Sequence, residues 1–343
     1  MTDRTMQAAV FESEGRLVVK DVPLPRVQAV DDVLVQVEAC GVCGTDLRIL
    51  SVPPAVRARQ GIVLGPEYLG HVVEAGPAAA HLRPGDRVAC IPDVACGHCA
   101  FCAEGRPNLC QNMYSIGGDS DGGFAPFALA PAKALYPVSE ELPAEEGAMI
   151  ELLSCVLGGV SKAALLPGED VLVIGAGPAG LVYLKVFKAA GAGRVMMAEP
   201  SPWRSQFALR TGADRVINPR ETDLGEAVRA ATGGGAHLVV DAVGSQLAAA
   251  MSAARKGARI IVFGEDHQAQ VTLREQDIQG KELRILGSFI GLHQFPKAVQ
   301  MLESGALRLS GLITHRPSLR DLPAAIAELA AGRGAKGVCF PWQ

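Results

Sequence analysis

The chain has 343 residues, of which 49% are hydrophobic and 5% aromatic, and it contains 39 glycines. This composition suits one large or two smaller α/β domains and excludes a disordered chain. Lys and Arg total 32 against 36 Asp and Glu, a formal net charge of −4, and no basic stripe is present. We therefore expect no nucleic-acid partner.

The amino terminus is charged from residue 3 and lacks the apolar core of a signal peptide. The longest apolar stretch, Val171 to Leu184, is interrupted by glycines and is too short to span a bilayer. Nine cysteines without an export signal are typical of a reducing compartment. These features predict a cytoplasmic protein that has no membrane partner.

Alternating apolar and polar residues predict a β-rich region over residues 1–154. Strands are predicted at Leu17–Val19, Val33–Ala39 and Asp86–Ala89. Turn signals such as Pro84-Gly85-Asp86 separate the strands. We therefore expect a first domain that ends near residue 154.

Within this region, the segment 90–112 carries four cysteines with the spacing C-x2-C-x2-C-x7-C. Four thiolates at such short separations can surround one Zn²⁺ in a tetrahedron, which leaves no open position for chemistry. The spacing therefore predicts a structural zinc lobe. Paired disulfides or free buried thiols are the alternatives, although adjacent disulfides are typical of secreted scaffolds. The predicted ligands are Cys96, Cys99, Cys102 and Cys110.

From about residue 155 to residue 290, short strands alternate with helices. Val171–Ile174 has the apolar pattern of a buried strand, and a glycine-rich turn and a helix to about Ala190 follow it. Such alternation with short connections predicts a parallel sheet covered by helices, so the fold class is α/β. The other predicted strands are 194–198, 215–217, 237–240 and 258–263, and the other predicted helices are 202–211, 224–231 and 246–255.

The alternation stops after about Gly291. Two helices are predicted, around Phe295–Glu303 and around Leu322–Ala331, and a last strand is predicted at Gly337–Phe340. Because this tail does not continue the pattern, we expect residues 291–343 to return to the first domain.

A glycine fingerprint, Gly-Ala-Gly-Pro-Ala-Gly, occupies residues 175–180 between a predicted strand and a predicted helix. Its first glycine permits a tight turn, its second lets a pyrophosphate approach the backbone, and its third allows close helix–strand packing. The amino terminus of the helix favours the bound anion. An ordinary strand–helix turn is the alternative. The predicted cofactor-binding residues of this loop are Gly175, Gly177, Pro178, Ala179 and Gly180.

Glu199 stands about 20 residues after Gly180, at the end of the next predicted strand. A carboxylate there can accept hydrogen bonds from the adenosine ribose and repels a 2′-phosphate, which favours NAD over NADP. The alternative is a solvated strand end. Arg204 follows, and its guanidinium can stack on adenine or contact a phosphate. Both residues are predicted to bind the cofactor.

The chain carries, in this order, Gly41-Val-Cys43-Gly-Thr45-Asp46, Gly65-Pro-Glu67-x-x-Gly70, Gly85-Asp-Arg-Val88, the four cysteines, Glu151 and the glycine fingerprint. With these motifs it resembles, over nearly its whole length, the zinc-dependent medium-chain dehydrogenases, and among them the sorbitol (polyol) and threonine dehydrogenase branch. The resemblance implies a GroES-like β-rich catalytic domain, completed by the carboxyl-terminal segment, and a doubly wound Rossmann domain that binds NAD. It also implies a homodimer or homotetramer.

The resemblance implies a role for each matching residue. Cys43 matches a cysteine that ligates the catalytic zinc, and Thr45 matches the hydroxyl that passes the substrate proton. Asp46 matches an acid that supports the metal site. Glu67 matches a glutamate that is a zinc ligand in some members, and Glu151 matches one that binds zinc or its water. A zinc with an open position lowers the pKa of a bound alcohol, so residues that hold or support this zinc take part in the reaction. These five residues form the predicted catalytic set.

Pro66 departs from the family pattern, because it stands where the family has a histidine ligand. A proline side chain has no lone pair to give. Cys40, three residues before Cys43, is an alternative donor at a chelating spacing. His71 would lie on the same strand face as Glu67 but roughly 13 Å away, too far for one ion.

Arg48 is the second departure, because many relatives carry there a histidine that relays the proton to solvent. An arginine is always charged and cannot take up and release protons at neutral pH. Its guanidinium can instead bind an anionic substrate group or a cofactor phosphate.

We therefore predict an NAD-dependent dehydrogenase that interconverts a secondary alcohol of a polyol, sugar or cyclitol and its ketone with the help of zinc. Cys43, Glu67 and Glu151 are the predicted ligands of a loosely bound catalytic zinc. Two alternatives remain open. One is a zinc-free reductase on the same fold, in which Pro66 marks the loss of the catalytic metal. The other is a protein without activity that binds NAD as a ligand.

Overall fold

The computed structural model describes residues 4–343, which divide into two compact units. One unit comprises the chain up to Leu152 together with Phe295–Gln343, and the other comprises Leu153–Gln294. The first unit is therefore built from two separate stretches of sequence. Among residues 4–343, no helix is both long enough and apolar enough to cross a membrane.

The amino-terminal part of the first unit is β-rich, because apolar residues at every second position give each strand one face for the core. Its helices are short. The strands are β1 (Thr5–Ser13), β2 (Arg16–Pro23), β3 (Asp32–Gly41), β4 (Glu67–Ala75), β5 (Arg87–Cys90), β6 (Asp93–Val94), β7 (Tyr114–Ser115), β8 (Phe127–Pro131) and β9 (Leu135–Pro137), the α-helices are α1 (Gly44–Ile49), α2 (Ala100–Ala103) and α3 (Ala144–Gly147), and 3₁₀ turns lie at Pro77–Ala79, Pro107–Leu109 and Ala132–Ala134.

The second unit alternates strands and helices, as predicted. Its strands are β10 (Asp170–Ile174), β11 (Arg194–Ala198), β12 (Arg215–Ile217), β13 (Ala236–Asp241), β14 (Ala254–Val262) and β15 (Arg284–Gly287), and the helices are α4 (Ile150–Ala163), which begins just before this unit, α5 (Pro178–Ala189), α6 (Pro202–Thr211), α7 (Leu224–Thr232), α8 (Leu247–Ala253) and α9 (Glu275–Gln279). The strands form one parallel sheet in the order β12-β11-β10-β13-β14-β15. This is the order of a doubly wound Rossmann sheet, so the predicted fold class is confirmed.

Several elements of this unit differ from the sequence prediction: α4 and α9 are not predicted, β14 begins at Ala254 instead of residue 258, and α8 and β15 also differ. Helix α8 ends at Ala253 instead of Arg255, because Ala254 is already extended and pairs with Ala236. No strand is predicted from the sequence where β15 lies, because the segment that begins at Arg284 has only two apolar residues. Pairing with β14 makes it a strand at the edge of the sheet.

The carboxyl-terminal stretch contributes α10 (Phe295–Glu303), a 3₁₀ turn at Ser310–Leu312, β16 (Ile313–His315), α11 (Leu322–Ala330) and β17 (Lys336–Cys339). Strand β17 pairs antiparallel with β3, with Val338 opposite Gly41 and Cys339 opposite Cys40. The large sheet of the first unit has the order β16-β17-β3-β4-β5-β9, and β8 pairs with β3. This pairing places Lys336 next to the end of β3.

Strand β3 anchors the region that carries most of the predicted catalytic residues. Val33, Val35 and Val37 alternate along it and are fully buried. Each such side chain contributes about 1.5–3 kcal/mol relative to an exposed one. Because these side chains fix the strand in the core, the chain leaves it at Gly41 in a defined position.

Candidate functional site

The four cysteines of the predicted zinc lobe meet in space, and their sulfur atoms all lie within 4.8 Å of one another. Cys99 Sγ lies 3.6 Å from Cys102 Sγ and 3.9 Å from Cys110 Sγ. Cys96 Sγ lies 4.0 Å from Cys102 Sγ. A tetrahedral zinc with Zn–S bonds of about 2.3 Å requires sulfur separations of about 3.8 Å. The lobe can therefore hold a structural zinc, whereas these free thiols stand too far apart for disulfides.

The backbone conformation and hydrogen bonds of the lobe favour metal binding. Gly97 turns the chain with a φ of 83°, a left-handed conformation that favours glycine. The backbone N–H groups of Cys96 and Asn112 donate to Cys110 Sγ over 3.2 and 3.4 Å. The backbone N–H of His98 lowers the pKa of Cys96 to about 6. At neutral pH the thiolate form, which binds metal, is therefore favoured at Cys96, whereas burial raises the pKa of the Cys102 thiol to about 11.

The amino end of helix α1 carries Cys43, Thr45 and Asp46. Cys43 caps the helix, and its Sγ accepts a hydrogen bond from Thr45 N over 3.4 Å. Asp46 is fully buried, and its carboxylate accepts from Cys43 N over 2.8 Å and from Gly65 N over 3.3 Å. Burial raises the pKa of Asp46 to about 7. Asp46 thus ties the Cys43 turn to the segment that leads into Glu67.

Glu67 begins β4 with only 2% of its surface exposed. Its Oε2 forms an ion pair with Lys336 Nζ, which also donates to the carbonyl oxygen of Val42 over 2.8 Å. Glu67 Oε1 is buried and has no hydrogen-bond partner among residues 4–343. Gly41 leaves the room that this carboxylate needs, since a Cβ at Gly41 would overlap Glu67 Oε2. One oxygen of Glu67 is thus held, and the other is available to a ligand.

Sequence reasoning missed Lys336. A lone lysine before a predicted strand is typical of a solvated strand end, and lysine is almost never fully buried unless it is paired. In the structure Lys336 is 1% exposed. The one signal in the sequence was its place in a tail that was expected to return to the first domain.

Acidic groups lie near Lys336. Burial opposes its charge, but Glu67, Cys43 and Glu151 raise its pKa above the ordinary value, so it is an ammonium. Burial, followed by the carboxylates of Glu67 and Glu151, raises the pKa of the Cys43 thiol. In the part of the chain that the structure describes, only the cysteine lobe brings three or more metal-ligand atoms within 4.8 Å of one another. The possible ligand atoms of Cys43, Glu67 and Glu151 are therefore farther apart than the sulfur atoms of the lobe.

The alternative donors do not replace the histidine that is missing at Pro66. His71 is half-exposed on β4, where its Nε2 lies 3.2 Å from Glu140 Oε2. Cys40 is fully buried in the hydrophobic core of the first unit, and burial raises the pKa of its thiol. Neither residue joins a group of converging ligand atoms among residues 4–343.

Arg48 reaches the hydroxyl of Thr45. The two residues lie one turn apart in α1, and Arg48 Nη2 donates to Thr45 Oγ1 over 3.5 Å. A permanent positive charge therefore stands beside the predicted proton-passing group, where a histidine would titrate near neutral pH.

The glycine fingerprint takes the predicted shape between β10 and α5. Gly175 has a φ of 97°, and a Cβ at Gly180 would overlap the carbonyl oxygen of Gly175. The first and third glycines thus serve the turn and the helix–strand contact. A Cβ at Gly177 would meet no atom of the described residues within 4 Å. Pro178 and Ala179 begin α5, so an open backbone position lies at the amino terminus of a helix.

Glu199 follows β11 and is hydrogen-bonded to the glycine loop. Its Oε2 accepts a hydrogen bond from Ala176 N and its Oε1 accepts one from Ser201 N, both over 2.8 Å. Only 5% of Glu199 is exposed, but each carboxylate oxygen keeps a second lone pair for a ribose hydroxyl. Arg204 lies in α6, and its Nε is buried without a hydrogen-bond partner in the described part of the chain.

Family models match both units. The model of the alcohol dehydrogenase GroES-like domain matches residues 29–140, and the model of the zinc-binding dehydrogenase matches residues 178–304. Among curated proteins, the chain is 33% identical to D-arabinitol dehydrogenase 1 of Uromyces fabae. That match covers 88% of this chain and 87% of the relative.

Two solved structures are similar in both fold and sequence. A zinc-binding dehydrogenase of Sinorhizobium meliloti 1021 bound to NADP has a TM-score of 0.92 and 33% identity, over 98% of this chain and 100% of the other. An alcohol dehydrogenase of Escherichia coli CFT073 complexed with NADH has a TM-score of 0.90 and 30% identity, over 98% of this chain and 99% of the other.

Proposed function

Because the chain belongs to the zinc-binding medium-chain dehydrogenases, we propose that it interconverts a secondary alcohol and its ketone with NAD as the hydride carrier. The expected substrate is a polyol, a sugar or a cyclitol, and the similarity to an arabinitol dehydrogenase supports this class. The observation that carries the proposal is the pair of hydrogen bonds by which Asp46 joins the Cys43 turn, which Thr45 follows, to Gly65, two residues before Glu67.

The glycine loop and Glu199 would hold the cofactor. Bound NAD accepts the hydride from the carbinol carbon. The open backbone at Gly177 suits a pyrophosphate, and the amino terminus of α5 favours its charge. The two similar structures carry NADP and NADH, so the choice between them rests on Glu199, whose negative charge opposes a 2′-phosphate.

The residues around Glu67 fit a metal cation. Its Oε1 is a buried acceptor without a partner in the described chain, and Gly41 keeps the space beside the carboxylate. A thiolate and carboxylates are ligands that zinc accepts. Cys43, Glu67 and Glu151 would hold the zinc, which lowers the pKa of a bound alcohol. Pro66 gives no donor, so we expect looser binding than in relatives with histidine there.

The chain's own residues would handle the proton. Thr45 Oγ1 would take the proton of the substrate hydroxyl as it passes on its own proton, because Thr45 lies two residues after Cys43 at the amino end of α1, where its backbone N donates to Cys43 Sγ. Arg48 donates to the same oxygen and keeps its charge, so it orients the hydroxyl and does not carry the proton further. The proton would therefore leave Thr45 by a route other than residue 48.

The test is turnover of a panel of polyols, sugars and cyclitols, followed by the formation of NADH. Thr45→Val removes the hydroxyl with little change of shape, and we expect kcat to fall by about 10²-fold or more. Thr45→Ser is the matched control and should keep most of the rate. Binding of NAD without turnover of any of these alcohols or their ketones would instead identify a protein without activity.

We also propose that the protein is a homodimer or homotetramer, as the family resemblance implies, and that it works in the cytoplasm, a reducing compartment that suits its nine free cysteines. Light scattering of the purified chain measures the number of subunits. A monomer at micromolar concentration would contradict this part of the proposal.

A further inference from the structure

The proposed zinc ligands are all anionic. A Cys43 thiolate, Glu67 and Glu151 carry three negative charges, whereas Zn²⁺ carries two positive charges. The family's histidine would be a neutral ligand, but Pro66 contributes no ligand at all. This donor set therefore leaves one negative charge in excess, and an unbalanced charge in a buried site is costly.

Lys336 supplies a positive charge at the same place. Its Nζ is paired with Glu67 Oε2 and donates to the carbonyl oxygen of Val42 over 2.8 Å. Cys43 and Glu151 also lie close enough to interact electrostatically with the ammonium. One ammonium, one zinc ion and the three anionic ligands together have no net charge.

We propose that Lys336 is a positioning residue of this zinc site: it balances the anionic ligands and holds Glu67 by Oε2, so that only Oε1 is left for the metal. The inference rests on the proposed function. Its direct support is the contrast within one carboxylate, since Oε2 is paired while Oε1 is buried without a partner among residues 4–343.

Two consequences follow, and they have opposite signs. The ammonium repels the metal ion and occupies one oxygen of Glu67, so zinc is held more weakly than the ligands alone would hold it. The same positive charge offsets the excess negative charge of the ligands. The site therefore repels less strongly the negative charge that develops on the substrate oxygen during the reaction. Lys336 thus lowers metal affinity and supports the rate.

The experiment measures zinc affinity in the whole protein. The chain with its lobe zinc retained is titrated with Zn²⁺ against a chelating indicator, as wild type, Lys336→Met and Lys336→Arg. We expect Lys336→Met to bind the second zinc about tenfold more tightly or better, because a unit charge beside a dication has been removed. Lys336→Arg keeps the charge and should stay within about threefold of wild type. Equal or weaker zinc binding by Lys336→Met would overturn the proposal.

A second variant covers the case in which Lys336→Met does not fold. Lys336→Gln keeps a hydrogen-bond donor for Glu67 and Val42 but loses the charge, and we expect the same tightening. In the same variant kcat should fall. Tighter zinc with a lower kcat is a pair of changes that simple loss of structure would not give, whereas weaker zinc with a lower kcat would show a purely structural role.

The outcomes are distinct from those for the proposed function. If no variant binds a second zinc ion, the inference is wrong, and NAD-linked turnover by the wild type would still support a dehydrogenase. If the variants tighten the second zinc but the wild type turns over no alcohol or ketone, the inference about Lys336 holds and the proposed function fails.

Discussion

The four-cysteine lobe and the proposed Cys43 site would offer ligands to the same kind of ion in opposite ways. The lobe takes four like donors from one short segment, residues 96–110, and three of its sulfur–sulfur distances lie between 3.6 and 4.0 Å. The proposed Cys43 site would draw its ligands from residues 43, 67 and 151, and Lys336, which pairs with Glu67, comes from near the end of the chain. The lobe ligands are close in sequence, whereas residues 43, 67, 151 and 336 are far apart in sequence and meet only within the folded first unit.

The two regions would also differ in how much zinc binding contributes to the free energy of folding. A closed shell of four thiolates makes zinc binding part of the folding free energy. The mixed ligands of the proposed Cys43 site, with a competing ammonium and an open position, would leave its metal exchangeable. On this proposal, ligand number and charge, and not the mere presence of cysteine, determine which zinc is permanent.

The largest expected effect comes from breaking the lobe. Cys96→Ser should lose the lobe zinc and lower the free energy of unfolding by several kcal/mol, because three thiolates lose their shared ion. Zinc content and melting temperature measure both losses. Cys90→Ala, which changes a buried cysteine outside the lobe, is the control and should keep its zinc. Full zinc content and an unchanged melting temperature in Cys96→Ser would contradict the structural role.

Gly41→Ala should break the other site and leave the lobe intact. Its new Cβ would overlap Glu67 Oε2 and approach the carbonyl oxygen of Ala148 to 2.8 Å. We expect a destabilisation of about 1–3 kcal/mol and the loss of the second zinc with the NAD-linked activity. Gly44→Ala is the control, because its Cβ would meet no described atom within 4 Å. If Gly41→Ala keeps two zinc ions, Glu67 is not a ligand.

Much of this comparison could be predicted from the sequence, because the lobe spacing and the glycine fingerprint are patterns of neighbouring residues. Lys336 could not, because its partner Glu67 lies 269 residues away, and no local pattern reports such a contact. The hydrogen bond from Ala176 to Glu199 was missed for the same reason, since it depends on the pairing of two parallel strands. Strand β15 depends on its pairing with β14 and not on its own composition.

Pro66→His would sharpen the comparison by returning a neutral donor to the Cys43 site. We expect the second zinc to bind about tenfold more tightly, with no change at the lobe. Pro66→Ala is the control, because it removes the proline ring without adding a donor, and its affinity should not rise. The rate need not increase, since the proline also fixes the local backbone. Equal affinities for the two variants would mean that residue 66 does not approach the metal.

The smallest expected effect concerns the second unit. Glu199→Gln removes the negative charge but keeps a side chain of the same size, so the ratio of kcat/KM for NADP to that for NAD should rise roughly tenfold. The melting temperature is the control, because Glu199 also braces the glycine loop. A wild-type preference for NADP would show that Arg204, and not Glu199, governs the choice.

The most direct test of two unequal zinc sites is to count zinc ions per chain while a chelator is added, with the NAD-linked rate measured in the same samples. We predict two zinc ions per chain at the start. One should leave readily together with the rate and restore it when zinc is added back, while the lobe zinc stays bound. A single zinc ion per chain, with a rate that chelation does not change, would contradict this account and would identify a zinc-free reductase.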